Sequence, residues 1–304
     1  MTSTQYILLA GLFLGFSALE YLLGRAQKFG ATGADNALDV VGFALLAAVT
    51  QPAILWATKA LGLAFVPQYQ NALADLPWYA MVALLLVGDD MLQYWWHRAS
   101  HSPLLWPLHR AHHSAQYMSA RIIYRNNFFY YVGMPAIWMS GVLVYLGLGP
   151  VYLVYIVVKL AVITGAHSSV RWDEPLYKIK ALAPLMWVVQ RTISTPTTHF
   201  AHHAMTNADG IGNYKGNFGN LLFFWDVLFG SAHITQRFPA QVGLRDDQLF
   251  GAEKWWVELF YPVFRSKRAH SALVPGGKPY DESVDAVSRE ITATATHRNG
   301  QAAN

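Results

Sequence analysis

The chain of 304 residues contains no cysteine. That absence removes disulfides, thiolate metal ligands and iron–sulfur clusters, and leaves histidine and carboxylate as the side chains able to hold a metal. Charge is the second scarcity. Asp, Glu, Lys and Arg make up 13% of the residues, about half the usual quarter. With 54% hydrophobic residues and a positive mean hydropathy, the composition is that of an integral membrane protein and not of a soluble globular domain. A third absence is any G-x-G-x-x-G turn joining a strand to a helix, so no nicotinamide or flavin site is readable. The net charge of +4 does not imply nucleic acid, because the basic residues flank apolar runs instead of forming an aromatic-interleaved stripe. Attraction to anionic lipid headgroups accounts for them.

Long apolar runs are what the chain has instead. Tyr6 to Gly24, broken only by Glu20, is long enough to cross a bilayer and reads as an anchor, since no basic stretch precedes it and no cleavage site follows. Further runs cover 37–65, interrupted by Pro52 and Lys59, then 77–96, then 128–166. The last has Gly149-Pro150 near its middle and reads as a hairpin whose second limb carries Lys159. Arg98, Arg110, Arg121, Arg125, Arg171, Lys178, Lys180 and Arg191 all lie in the segments between and after these runs, whereas residues 62–76 hold no Lys or Arg. By the positive-inside rule the histidine-bearing end faces the cytoplasm, with Arg25 and Lys28 on the same side. The expected fold is all-α: an integral membrane helical bundle of about four to five membrane segments with a cytoplasmic histidine-rich helical cap. One membrane-embedded domain is expected over residues 1–268. It ends in Trp255 to Tyr261, which suits an interfacial helix or one packed against the domain. Residues 269–304, polar and rich in Ala, Thr and Ser, are expected to be a disordered tail.

Histidine is the residue in excess of pattern. The spacing H-x-x-H-H stands twice, at His109/His112/His113 and at His199/His202/His203, and His97 and His101 form an i, i+4 pair upstream. Residues three and four apart share a helical face, so each set can aim its rings at one centre. Neutral imidazole suits iron, zinc, copper or nickel, and eight clustered rings exceed what one ion takes, which points to two metals. Histidines at the ends of apolar spans put such a centre within reach of an apolar substrate. Asp90 and Tyr94 lie seven and three residues before His97, on one helical face with it, so Asp90 is expected to accept a hydrogen bond from a ligating histidine's other nitrogen. The alternative is that Asp89 and Asp90 mark the wet end of a span. Trp95 and Trp96 fit an interfacial belt better than a substrate tunnel.

Two other classes compete with a redox centre. A zinc hydrolase needs only three protein ligands, a water position and a carboxylate base. A metal transporter needs ligands along a path near the midplane, where these spans are almost bare of histidine.

The run His97-Arg98-Ala99-Ser100-His101, His109-Arg110-Ala111-His112-His113 and His199-Phe200-Ala201-His202-His203, with an apolar hairpin before the third box, resembles the fatty acid hydroxylase superfamily, which includes the sterol desaturases and sterol methyl oxidases. The resemblance covers roughly residues 85–231 and extends to Asp90 and Tyr94, to His167-Ser168, and to Asn217-Phe218-Gly219 running to Trp225-Asp226-Val227-Leu228-Phe229-Gly230. It implies a membrane di-iron oxygenase that uses O2 to hydroxylate, or alternatively desaturate, an unactivated C–H bond of a fatty acyl or sterol-like lipid. Carried over residue by residue, the ligands of two iron ions, with zinc as a substitute metal, are His97, His101, His109, His112, His113, His167, His199, His202 and His203. Asp90, Tyr94, Asn217 and Asp226 are supporting candidates, and His233, His270 and His297 stay outside. Arg171 stands where fatty acyl hydroxylases have a further histidine. It cannot ligate a cation, which implies the smaller ligand set of sterol desaturase-like members. Electrons then come from a separate electron-transfer protein and reductase, expected to dock on a basic cytoplasmic face that includes Arg110 and Arg121.

Overall fold

The computed structural model describes residues 3–23, 30–268 and 270–278. Arg25, Lys28 and residues 279–304, His297 among them, lie outside the described residues. The described chain is helical with no strand, and a lone antiparallel bridge joins Ala204 to Val242.

Helix α1 covers Ser3–Leu22. Helix α2, Gly33–Leu45, starts on a reciprocal cap in which Thr32 Oγ1 accepts from Asp35 N at 3.1 Å and the Asp35 carboxylate accepts from Thr32 N at 2.9 Å. It continues through a π-helical turn, Leu46–Thr50, into α3, Gln51–Phe65. The expected interruption at Pro52 is therefore absorbed, because the wider turn takes up the backbone bond that the proline ring cannot make. Helix α4, Trp78–Leu85, runs through a second π turn, Leu86–Met91, into α5, Leu92–Ser100. Then come α6 (Trp106–His113), α7 (Phe128–Val132), α8 (Pro135–Leu143) and α9 (Gly149–His167).

Two helical stretches, Gly33–Phe65 and Pro135–His167, each of 33 residues, are long and apolar enough to cross a membrane. The second does not run straight. As one rod it would be about 50 Å long, yet both of its ends sit at the histidines. Met134 and Ala136 pack with Tyr130, which stacks on His109, and His167 meets His112. The chain turns back at Gly147, whose φ is +114°. The expected break at Gly149-Pro150 is thus displaced by two residues, and Pro150 instead opens the returning limb, where a ring without an N–H is tolerated. Residues 66–77 cover this turn, with Asn71 N donating to Tyr145 O and Leu73 N to Leu146 O.

Between the limbs lie Met81, Leu85, Leu143, Leu148, Tyr152 and Tyr155. Outward faces remain apolar on the returning limb, at Val154 and Val158, and on α2, α3 and α4, where Val40, Trp56 and Trp78 are each at least 66% exposed, a surface suited to lipid and not to water. Lys159 is buried and paired with Asp89, which also accepts from Tyr155 Oη at 2.7 Å. A buried ion pair costs desolvation and gains register, and here it ties α9 to the turn preceding α5.

The remaining short helices gather at the histidine end: α10 (Glu174–Tyr177), α11 (Ala183–Thr192), α12 (Pro196–His202), α13 (Phe224–Leu228), α14 (Arg245–Phe250) and α15 (Trp255–Phe260). The two readings of α15 divide by face: Leu259 is buried with Leu38 and Ala111, and Trp255 and Phe260 pack against them, whereas Trp256 is exposed. The folded region also passes the expected boundary at 268. Ala272 and Leu273 are buried, and Leu273 O accepts from Ser266 N.

Gly147 gives a direct check on the hairpin. A Cβ there would meet the Ala74 backbone, and a positive φ costs an L residue about 1–2 kcal/mol. Thermal unfolding in detergent should show Gly147→Ala destabilised by at least about that amount. Gly15→Ala, with nothing within 4 Å, should be neutral or stabilising.

Candidate metal centre

Four elements deliver nine histidines to one place. His97 lies in the last turn of α5 and His101 caps it, α6 carries His109, His112 and His113, and His167 is the final residue of α9. The third box is set by α12, whose start is fixed by Pro196 and by Thr195 N donating to Thr198 Oγ1 at 3.0 Å.

The nine rings form two groups. His97, His101, His109, His113 and His202 make one, His112, His167, His199 and His203 the other, and within each group one ligand atom per residue lies within 4.8 Å of all the rest. Eight of the nine are buried and His101 is half-buried. The groups abut, with ring centroids 4.5 Å apart for His113–His203 and 5.2 Å for His109–His112. Each H-x-x-H-H box feeds both groups: His109 and His113 go to the first and His112 to the second, while His199 and His203 go to the second and His202 to the first. Helical geometry accounts for the split. Positions i and i+4 nearly coincide in direction, whereas the adjacent histidines point about 100° apart, so one turn of helix serves two neighbouring centres.

The nitrogens facing away from the centres fix the tautomers. His97 Nδ1 donates to Phe218 O at 2.7 Å, His167 Nδ1 to Ile163 O at 2.8 Å and His202 Nδ1 to Gly216 O at 2.7 Å. A carbonyl only accepts, so Nδ1 carries the proton and Nε2 is a bare lone pair. Nε2 of His97 and of His202 is buried with no partner. Elsewhere Nε2 atoms face one another: His199–His167 at 2.8 Å, His203–His199 at 3.1 Å, His113–His109 at 3.3 Å and His167–His112 at 3.3 Å. Burial first, and then the neighbouring imidazoles, hold His112, His113, His199 and His203 well below the usual histidine pKa. The rings are therefore neutral, as ligands must be. Nine converging imidazoles with no thiolate fit two first-row transition ions.

The supporting residues act through one loop. Asp90 does not receive the bond expected from a histidine; its carboxylate accepts from Leu221 N, Leu222 N and Trp225 Nε1 at 3.3, 3.1 and 2.8 Å. Asp226 accepts from Phe218 N at 2.8 Å, Gly219 N at 2.6 Å and Ser231 Oγ at 2.6 Å. Asn217, at φ +55°, donates to Thr198 O and His233 O, both at 2.9 Å. Tyr94 Oη meets Ser231 Oγ at 2.8 Å and accepts from Arg98 at 3.0 Å. All four brace residues 216–222, whose carbonyls at Gly216 and Phe218 hold His202 and His97. Sequence reasoning missed this intermediary because a backbone carbonyl leaves no residue-type signal. It also missed Asn126, whose Oδ1 accepts from His109 Nδ1 at 2.9 Å.

His233 bonds to Gly210 O and His270 packs on Phe250, so neither joins a group. Arg171 stacks on Phe238, 4.1 Å from the ring centroid.

Arg110 corrects a second expectation. It is fully buried, clamping Asp246, Asp247 and Glu258, with Arg268 adding 2.5 Å contacts to both aspartates. A side chain withdrawn from solvent cannot steer a docking partner. Its position between His109 and His112 instead fastens residues 245–268 to the box helix. Arg121 is occupied by Asn36 at 2.7 Å and Asp39 at 3.0 Å.

Residues 82–231 match the fatty acid hydroxylase family, and the chain belongs to the fatty acid hydroxylase superfamily. That stretch takes in all nine histidines, Asp90, Tyr94, Asn217 and Asp226. Alkylglycerol monooxygenase of Danio rerio is similar to this chain, 28% identical over 161 residues that make up 52% of this chain and 32% of that protein. The chain thus spans about a third of that relative's length. No solved structure matches. Both names point to an oxygen-inserting enzyme.

Removing one partner of a buried charge network costs about 3–5 kcal/mol. Arg110→Met should therefore unfold at markedly lower denaturant, whereas Arg121→Gln, at a part-exposed pair, should cost under about 1 kcal/mol. Equal effects would show that the clamp is dispensable.

Proposed function

We propose that this chain is a membrane-bound, O2-dependent di-iron oxidoreductase that hydroxylates an unactivated C–H bond of a lipid. The observation that carries the reading is the convergence of nine neutral imidazoles, eight of them buried and His101 half-buried, into two adjacent groups. Two irons held there would supply the one-electron chemistry that reduces dioxygen and breaks an alkyl C–H bond, which no side chain can do. The protein's contribution is position and insulation. Nδ1–H bonds to carbonyls keep rings from rotating, the braced loop fixes those carbonyls, and burial keeps water from the lone pairs.

Hydroxylation consumes O2, two electrons and two protons and yields the alcohol and water, so a separate electron-transfer protein and its reductase are required. With Arg110 buried, the exposed Lys178 and Lys180 are the better docking residues for an acidic carrier. The site is proposed to face the cytoplasm at the end of five membrane segments within a single domain. The apolar outer faces of the limbs suit entry of a lipid from the bilayer. The relative's name makes an alkylglycerol the first lipid to try, ahead of fatty acyl and sterol-like compounds. Desaturation would use the same residues. Transport is disfavoured because no histidine lies in α1–α4 or α8, and α9 holds one only at its last position.

Protein purified in detergent and supplied with ferrous iron should hold about two ions per chain, and His113→Ala and His112→Ala, which each deplete a different group, should hold about one. Isotopically labelled dioxygen should then appear as one added oxygen atom in the lipid product. One zinc ion per chain and no oxygen consumption would contradict the proposal.

A further inference from the structure

Nine neutral imidazoles bring no charge to the two groups, so a pair of divalent ions would bury four positive charges unless carboxylates lie close by. The buried acids of the described residues fall into two sets. Asp39, Asp89, Asp246, Asp247 and Glu258 are each ion-paired, with Arg121, Arg125, Lys159, Arg110 or Arg268. Glu20, Asp90, Asp173 and Asp226 are equally buried, at 1%, 1%, 0% and 0% exposure, and among the described residues the groups that donate to them directly are neutral. Lys159, near Asp90, is bonded to Asp89, and Arg98, near Asp226, is bonded to Tyr94 and Phe229.

Those neutral groups belong to the segments that carry or hold the histidines. Glu20 Oε1 accepts from Ala120 N at 3.0 Å, Ser168 Oγ at 2.8 Å and Ser169 N at 2.8 Å, and its Oε2 accepts from Ser119 Oγ at 2.7 Å. Ser168 and Ser169 directly follow His167. Asp173 Oδ2 accepts from Thr197 N at 2.9 Å and Thr197 Oγ1 at 2.7 Å, two residues before His199. Asp90 and Asp226 hold the loop behind His97 and His202, as described above. A carboxylate buried without a cation is costly, and neutral donors solvate it without cancelling its charge.

We infer that Glu20, Asp90, Asp173 and Asp226 are the counter-charge of the metal centre, four negative charges against the four of two divalent ions. Glu20, on a helix outside the family-matched stretch, serves the four-histidine group through the residues that follow His167. The inference rests on the metal reading above. It makes these acids positioning and charge-balancing residues, and it makes α1 part of the site.

Glu20→Gln separates charge from structure. Its amide oxygen can replace Oε1 and keep three donors, and its amide nitrogen can donate to Ser119 Oγ, so all four contacts survive and only the charge is lost. Ferrous iron affinity of the full chain in detergent, measured beside the melting temperature of the metal-free protein, is the readout. The expected result is an affinity about 10–100-fold weaker, with the metal-free melting temperature unchanged or raised. Asp173→Asn should behave likewise, and Glu174→Gln, at an exposed side chain, should match the wild type. Glu20→Gln and Asp173→Asn both binding iron within about twofold of wild type, or both failing to fold without metal, would overturn the inference, the second by showing purely structural anchors. Wild-type protein that takes up no metal would instead remove the metal reading itself.

Discussion

Bare nitrogen lone pairs held together away from water are the constraint on which the rest of this protein depends. Imidazoles whose Nε2 atoms sit 2.8–3.3 Å apart cannot all protonate, because burial and mutual repulsion oppose every added charge. Nor can His97, His167 and His202 turn freely, because carbonyls behind them hold the other nitrogen, and Asn126 holds His109 in the same way. The arrangement is stable only to the extent that the surrounding scaffold imposes it, and cations bound at the two centres would convert its repulsion into coordination.

Much of the fold serves that imposition. The turn at Gly147 brings α9 back so that His167 can join a group assembled by α6 and α12. The Asp89–Lys159 pair fixes the register of that returning limb, and the Arg110 network fastens residues 245–268 against the box helix. Both networks bury charge at a desolvation cost, which is intelligible where the gain is a fixed geometry. The interleaving of the boxes follows the same logic, since each short helix spans both groups and locks their separation.

Much of this was legible in the sequence, for physical reasons that can be named. Helical spacing makes H-x-x-H-H a statement about directions, and the nine histidines taken from the family resemblance are the nine that the fold brings together. The hairpin was legible from the length of its apolar run, but its turn was placed two residues late, because Gly149-Pro150 is a strong break signal and Gly147 reveals its role only through φ. Asp90, Tyr94, Asn217 and Asp226 were singled out as supports, yet Asp90 was assigned the wrong partner, since the connection runs through backbone atoms that every residue type shares. Arg110 was misread as a surface cation because its acidic partners lie more than 130 positions away. Glu20 registered only as a flaw in an apolar run. A charge in such a run is a question about its partners, and those partners, at 119–120 and 168–169, become neighbours only in the folded chain.

The measurement that bears most directly on the central claim is an anomalous difference map, recorded at the iron edge from crystals of iron-loaded protein. The account requires two peaks in neighbouring positions, one enclosed by His97, His101, His109, His113 and His202, the other by His112, His167, His199 and His203. A single peak, or iron bound elsewhere with both histidine groups empty, would contradict it.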